Sequence, residues 1–223
     1  MRLLFFTLLA LLALLAPLSF SQIIYRGSDL SEVALTFDDG PNQDYTEKVL
    51  DILKKENVKA TFFVVGERAY QYPLILRDIS RQGHEIGNHT YYHSRITWIN
   101  NDKLLDEIKR TSDIVKKNTG KSTFYFRPPF GTVSKEKLSL IEKAGYKVVM
   151  WYGNADDFYH IGWGMRTPES ITKRVISQLH GGNIILMHDD SKQTLAALPM
   201  IISEIKKRNY KFVTISELIE AKR

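Results

Sequence analysis

From Val33 onward the chain alternates short runs of β-branched and aromatic residues with longer stretches in which apolar positions recur every three or four residues. Strand-like runs cover Val33 to Phe37, Ala60 to Val65, Glu85 to Gly87, Phe124 to Phe126, Lys147 to Trp151, Ile184 to Met187 and Phe212 to Thr214. Helix-like segments lie between them. Tyr45 to Asn57 carries Val49, Ile52 and Leu53; Pro73 to Gln82 opens on a proline and stops before Gly83. Asn101 to Thr119 puts Leu104, Leu105, Ile108 and Val115 near one stripe and stops at Gly120. Ser134 to Ala144, Pro168 to Leu179, Thr194 to Arg208 and Ser216 to Ala221 complete the set. This rhythm, without a domain-sized break, predicts an α/β fold. The polar residues fall at the strand ends and just after them, where a barrel exposes its reactive groups, so a closed or nearly closed (β/α) barrel of about seven strands is expected rather than an open sheet.

The first residues do not belong to that rhythm. Arg2 precedes an apolar run from Leu3 to Ala16, followed by Pro17 and Ser19-Phe20-Ser21. That is the order of a secretory signal peptide, with cleavage expected after Ser21; an uncleaved anchor is the competing reading. Residues 22–223 then form one domain, expected to be monomeric. The chain has no cysteine, so an exported protein here does without disulfides, and lipid attachment at a cysteine is excluded. The formal net charge of +6 suits an anionic cell envelope. The basic residues are scattered over helical faces such as Lys54-Lys55, Lys116-Lys117 and Lys206-Lys207-Arg208, and no nucleic-acid motif is present.

The chemistry begins where the first strand breaks into a turn, at Thr36-Phe37-Asp38-Asp39-Gly40-Pro41. Adjacent carboxylates repel unless a cation or a hydrogen-bonding partner compensates, so one can hold a metal while the other handles protons; a plain surface turn is the alternative. After the third strand, His89 and His93 stand four apart, the spacing by which two imidazoles on a helical turn grip one ion. With Asp39 they make a two-histidine, one-carboxylate set that leaves positions open for water and substrate. The fourth strand ends in Arg127-Pro128-Pro129-Phe130-Gly131, where two prolines fix the direction of an arginine able to keep a carboxylate ionised. Asp156-Asp157-Phe158 follows the fifth strand. His188 follows the sixth, placed to be oriented by a carboxylate and to act as a general acid.

This ordered set resembles the polysaccharide deacetylases of carbohydrate esterase family four, the NodB-homology domain, over about Val33 to Leu218. The resemblance implies a distorted β/α barrel and a divalent metal, zinc first and cobalt, nickel or manganese as alternatives. The reaction it implies is removal of acetyl groups from an acetylated polysaccharide, N-acetylglucosamine polymers or acetylated xylan. It implies Asp39, His89 and His93 as metal ligands, Asp38 as catalytic base, Arg127 as its tuning partner, and His188 as general acid oriented by Asp157. A backbone N–H near Phe130 is then expected to meet the oxyanion, and Leu186, Phe158 and Trp151 to surround the acetyl methyl. Two departures stand out. The fourth motif of the family ends in Asp-Trp, but Asp157-Phe158 stands here with Asn154 upstream, which leaves Asp156 a rival for orienting His188; and Phe130 replaces a common tyrosine. Tyr91, Tyr92, Trp98, Tyr159, Trp163 and Arg166 are expected to meet sugar rings. A silent carbohydrate-binding protein on the same scaffold is the alternative of another class, at an extracellular, periplasmic or envelope location in either case.

Overall fold

The computed structural model describes residues 22–157, 160–161 and 164–220. In chain order its elements are β1 (Glu32–Asp38), α1 (Thr46–Lys55), β2 (Thr61–Val64), α2 (Gly66–Gln71), α3 (Pro73–Arg81), β3 (Glu85–Asn88) and α4 (Asn101–Thr119). There follow β4 (Tyr125–Phe126), a 3-10 turn (Pro129–Gly131), α5 (Lys135–Lys143), β5 (Lys147–Val148) and β6 (Gly153–Asn154). After the hairpin β7 (His160–Ile161) and β8 (Gly164–Met165) come α6 (Pro168–Ser177), β9 (Ile184–His188), α7 (Lys192–Lys207), β10 (Lys211–Phe212) and α8 (Ile215–Glu220).

Parallel strands run in the order β5-β4-β3-β2-β1-β9-β6, and β10 pairs in parallel with the start of β1. The sheet curls into the expected distorted barrel. It does not close by strand pairing, because β5 and β6 are its two ends and the chain passes between them without a helix. Residues ahead of β1 patch this seam: Ile24 bridges Val149 in parallel and Arg26 bridges Asn183 in antiparallel. The strand expected from Lys147 to Trp151 is therefore only Lys147–Val148, since beyond it the backbone bonds to Ile24 and then turns into β6.

Strand alternation sorts the side chains into two layers. Val33, Leu35 and Phe37 face the helices and join one core with residues of α1, α3, α6 and α7, while Ala34 faces inward with Phe63, Tyr125, Val149 and Ile184. Ile215 and Leu218 of α8 pack onto that inner cluster. The Glu85 carboxylate accepts from the Ser216 N–H at 3.1 Å and from the Ser216 hydroxyl, fixing the start of α8. Burial of each large apolar side chain contributes about 1.5–3 kcal/mol. The apolar inner rung thus supports the polar one above it, where the same alternation turns Thr36 and Asp38 inward.

Candidate active site

Asp38 ends β1 and is almost fully buried. Register places it beside His188 of β9 on one side and Phe63 of β2 on the other. Arg127, one residue beyond β4, is fully buried. It donates to Asp38 Oδ1 at 2.7 Å, to Thr36 Oγ1 at 2.8 Å, and to the Val149 and Met150 carbonyls at 3.3 and 3.1 Å. Burial lowers the pKa of the Arg127 guanidinium, and the charge and hydrogen bond of Asp38 oppose this only in part. A bonded arginine of this kind gives Asp38 a fixed orientation as well as an opposite charge.

Asp39 has different neighbours. Its Oδ1 lies 3.4 Å from His89 Nε2 and 3.1 Å from His93 Nε2, and one donor atom from each of the three residues fits within 4.8 Å. These contacts are misaligned for hydrogen bonding, so Asp39 Oδ1 is buried without a donor. His89 Nδ1 sits 2.7 Å from the Arg127 carbonyl, which only accepts, so Nδ1 carries the proton and a neutral ring leaves Nε2 bare. An orphaned carboxylate oxygen and an imidazole lone pair close together fit a divalent cation, and the Arg127 carbonyl already holds the His89 ring in orientation. The two histidines do not share a helical turn. Thr90 and His93 adopt left-handed backbone, φ 65° and 55°, as do Asp39 at 77° and Phe130 at 61°. The i, i+4 spacing works here through a kinked loop, with strain concentrated around the ligands.

His188 ends β9, and its Nδ1 donates to Asp157 Oδ1 at 2.7 Å. Asp157 is fully buried; its Oδ2 also accepts from the His188 N–H at 2.8 Å and from the Thr194 hydroxyl. Burial disfavours the charged imidazole, but Asp157, with Asp38 and Asp39 beyond, raises it to about 9. Asp156 points elsewhere, to Arg174 at 2.8 Å and Arg166 at 3.6 Å. Between the two rivals, Asp157 is therefore the one in contact with His188.

The polysaccharide deacetylase family profile matches residues 27–149. The chain is 38% identical over 193 residues to a peptidoglycan-N-acetylglucosamine deacetylase of Bacillus cereus, covering 85% of this chain and 89% of that one. The chain belongs to the polysaccharide deacetylase family. Its fold overlays a solved peptidoglycan N-acetylglucosamine deacetylase with a TM-score of 0.83 at 33% identity, covering 89% and 92% of the two chains. It also overlays a family pseudoenzyme from Bacillus anthracis with a TM-score of 0.84 at 29% identity, covering 91% and 70%.

Several residues that hold this deacetylase's mouth together escaped the reading of the sequence. Glu107 of α4 is fully buried beneath the loop between His89 and His93, accepting from the Tyr91 and Tyr92 N–H groups at 3.3 and 3.1 Å and from Ser94 Oγ at 2.6 Å. Its signal was present: it is an acid at a core position of the stripe that includes Leu104, Ile108 and Val115. Helix α2 was not expected at all, yet Val65 N–H donates to Gly40 O, and Gly66 and Glu67 donate to Thr90 O and Tyr91 O. Arg68 on α2 donates to the Asp39 carbonyl at 3.0 Å and to Asp190 at 2.6 Å. The loops carrying Asp39 and the two histidines are thus fastened to one short helix. Behind Gly40, where a side chain would strike its carboxylate, Asp189 is wholly buried with Thr46 donating at 2.6 Å. Burial raises Asp189 to about 7, with Thr46 opposing and the Asp190 and Asp39 charges adding.

Of the remaining expected residues, Leu186 is buried two positions before His188, on the same face of β9. Trp151 is partly buried against the inner cluster with its ring edge against Gly131. Phe130 is exposed, with its ring 4.6 Å from that of His93. Tyr91 is buried under the Arg110 guanidinium, so it offers no stacking face to a sugar, whereas Tyr92 and Trp98 are exposed. Phe158, Tyr159 and Trp163 lie outside the described residues, as does the apolar segment 1–21. Among the described residues no helix is long and apolar enough to cross a membrane.

Proposed function

We propose that this deacetylase removes N-acetyl groups from N-acetylglucosamine units of peptidoglycan, using one zinc ion held by Asp39, His89 and His93. The observation that carries the reading is the division at the end of β1: Asp39 leaves a buried carboxylate oxygen unbonded within reach of two imidazoles, while its neighbour Asp38 faces a buried arginine. When bound, a divalent ion there polarises the acetyl carbonyl and acidifies water. Asp38, oriented by Arg127, takes the proton of the attacking water. The backbone N–H of Phe130 meets the charge that develops on the carbonyl oxygen. His188 as imidazolium, oriented by Asp157, gives its proton to the leaving nitrogen as the C–N bond breaks, and water supplies the new oxygen of acetate. Leu186 and Trp151 close around the methyl group.

Two facts support an amide rather than an ester. His188 is raised to about 9, so it keeps its proton at neutral pH, and an amine, unlike an alcohol, hardly leaves without one. The B. cereus relative named above is a peptidoglycan-N-acetylglucosamine deacetylase. Export by a leader cut after Ser21, and action as a monomer at the cell wall, belong to the same reading. The test is acetate release from peptidoglycan, chitooligosaccharides and acetylated xylan, with and without a chelator. Chelator-sensitive release from the first two is expected. Release from xylan alone makes the protein an O-esterase, and stoichiometric metal without release from any of the three makes it a binding protein.

A further inference from the structure

Around the mouth most arginines are matched to an acid. Arg68 faces Asp190, Arg127 faces Asp38, and Arg166 and Arg174 face Asp156. Arg95, two residues past His93, differs. Its guanidinium lies 4.2 Å from the centre of the Phe130 ring and 4.8 Å from that of Trp98, and among the described residues it makes no ion pair and donates no hydrogen bond. Phe130 in turn packs on His93, so the cation stands one ring away from the candidate metal ligands. Both rings are open to solvent, Trp98 at 81% and Phe130 at 53% exposure.

Stacking on aromatic faces fixes a guanidinium's plane but leaves its N–H edge unused, and that edge matches a carboxylate in two parallel bonds. The exposed Trp98 ring beside it is a platform for a sugar face. We propose that Arg95 is a specificity-determining residue that binds a carboxylate carried next to the acetylated sugar, favouring acid-bearing glycans over neutral ones. The carboxylate belongs either to an acidic ether substituent of a neighbouring sugar or to a peptide attached to it. The inference rests on the reading that the substrate is an N-acetylated glycan, and adds which glycan the mouth selects.

The test compares kcat/KM for acetate release from neutral chitooligosaccharides, from peptide-free glycan strands with free lactyl carboxylates, and from peptide-bearing fragments, in wild type, Arg95→Gln and Arg95→Lys. In Arg95→Gln the ratio of acid-bearing to neutral kcat/KM falls about tenfold, the size expected for a lost charge-assisted hydrogen bond. The loss falls on KM, metal content is unchanged, and Arg95→Lys recovers part of the ratio. Added salt raises the wild-type KM for acidic substrates only. A loss confined to peptide-free strands assigns the sugar's own carboxylate, and one confined to peptide-bearing fragments assigns the peptide's. An unchanged ratio, whether all substrates decline together or none does, overturns the proposal. Absence of wild-type release from all three overturns the underlying reading instead.

Discussion

Asp38 and Asp39 are consecutive, yet the two sides of the mouth they belong to are built on opposite principles. On the Asp38 side the polar groups are bonded to one another: Arg127 makes four hydrogen bonds, the Asp157 carboxylate receives three, and Asp38 and His188 sit at the ends of paired strands. On the Asp39 side the carboxylate Oδ1 is buried without a hydrogen-bond partner, and the backbone is irregular, with Asp39, Thr90 and His93 all left-handed. A satisfied network fixes proton donors and acceptors in place. An unsatisfied one, held by structure outside it, is what a cation needs.

Substitutions on the two sides should therefore fail differently. The largest loss is expected for His89→Ala, which removes a ligand: metal affinity drops by more than the roughly 10–100-fold associated with supporting residues, and acetate release falls with it. Metal titration checks the first and the acetate assay the second. Asp157→Asn should keep its metal but lose about 100-fold in kcat, the usual order for misplacing a general acid. Its basic limb should also retreat from about 9 toward the ordinary histidine value of about 6.5, read from a pH–rate profile. The same shift stabilises the fold: His188 contributes fully below about 6.5, and the contribution is lost as pH rises through about 9. Glu107→Gln is milder, with metal affinity reduced about tenfold and activity recovered in excess metal, because the loop between the histidines loosens while both ligands remain. The smallest effect concerns Asp189. Its raised pKa means that the folded chain holds a proton which the unfolded chain releases between about 4 and about 7, so this residue's contribution to stability falls as pH rises through that window. Asp189→Asn should flatten that slope in denaturant titrations of metal-free protein.

The sequence was most informative where structure follows period. The run Val33 to Phe37 falls within β1, and helix α4 runs over the expected Asn101 to Thr119, between an Asn100 side chain capping its start and Gly120 at φ 73° closing its end. Reactive residues at strand ends converge because parallel strands point the same way. Period fails where elements are too short to have one. Helix α2 spans six residues and β6 two, and neither repeats a face. The left-handed residues carry no Gly signal, and the spacing of His89 and His93 suggested a helical turn that the chain does not make. Glu107 was hidden by its helix, since an acid on an apolar stripe looks like an imperfection until the loop above it is seen. Arg127 was expected to be fixed by two prolines and to keep a carboxylate ionised; its full burial, with bonds to the Val149 and Met150 carbonyls, had no signal in the sequence.

The division of labour between the two aspartates is tested most directly by Asp38→Asn, with metal content and acetate release measured on the same preparation. One metal per chain, bound as tightly as in wild type, with turnover reduced by about 10²–10⁴ is the predicted result. Appreciable turnover, or loss of the metal, would contradict it.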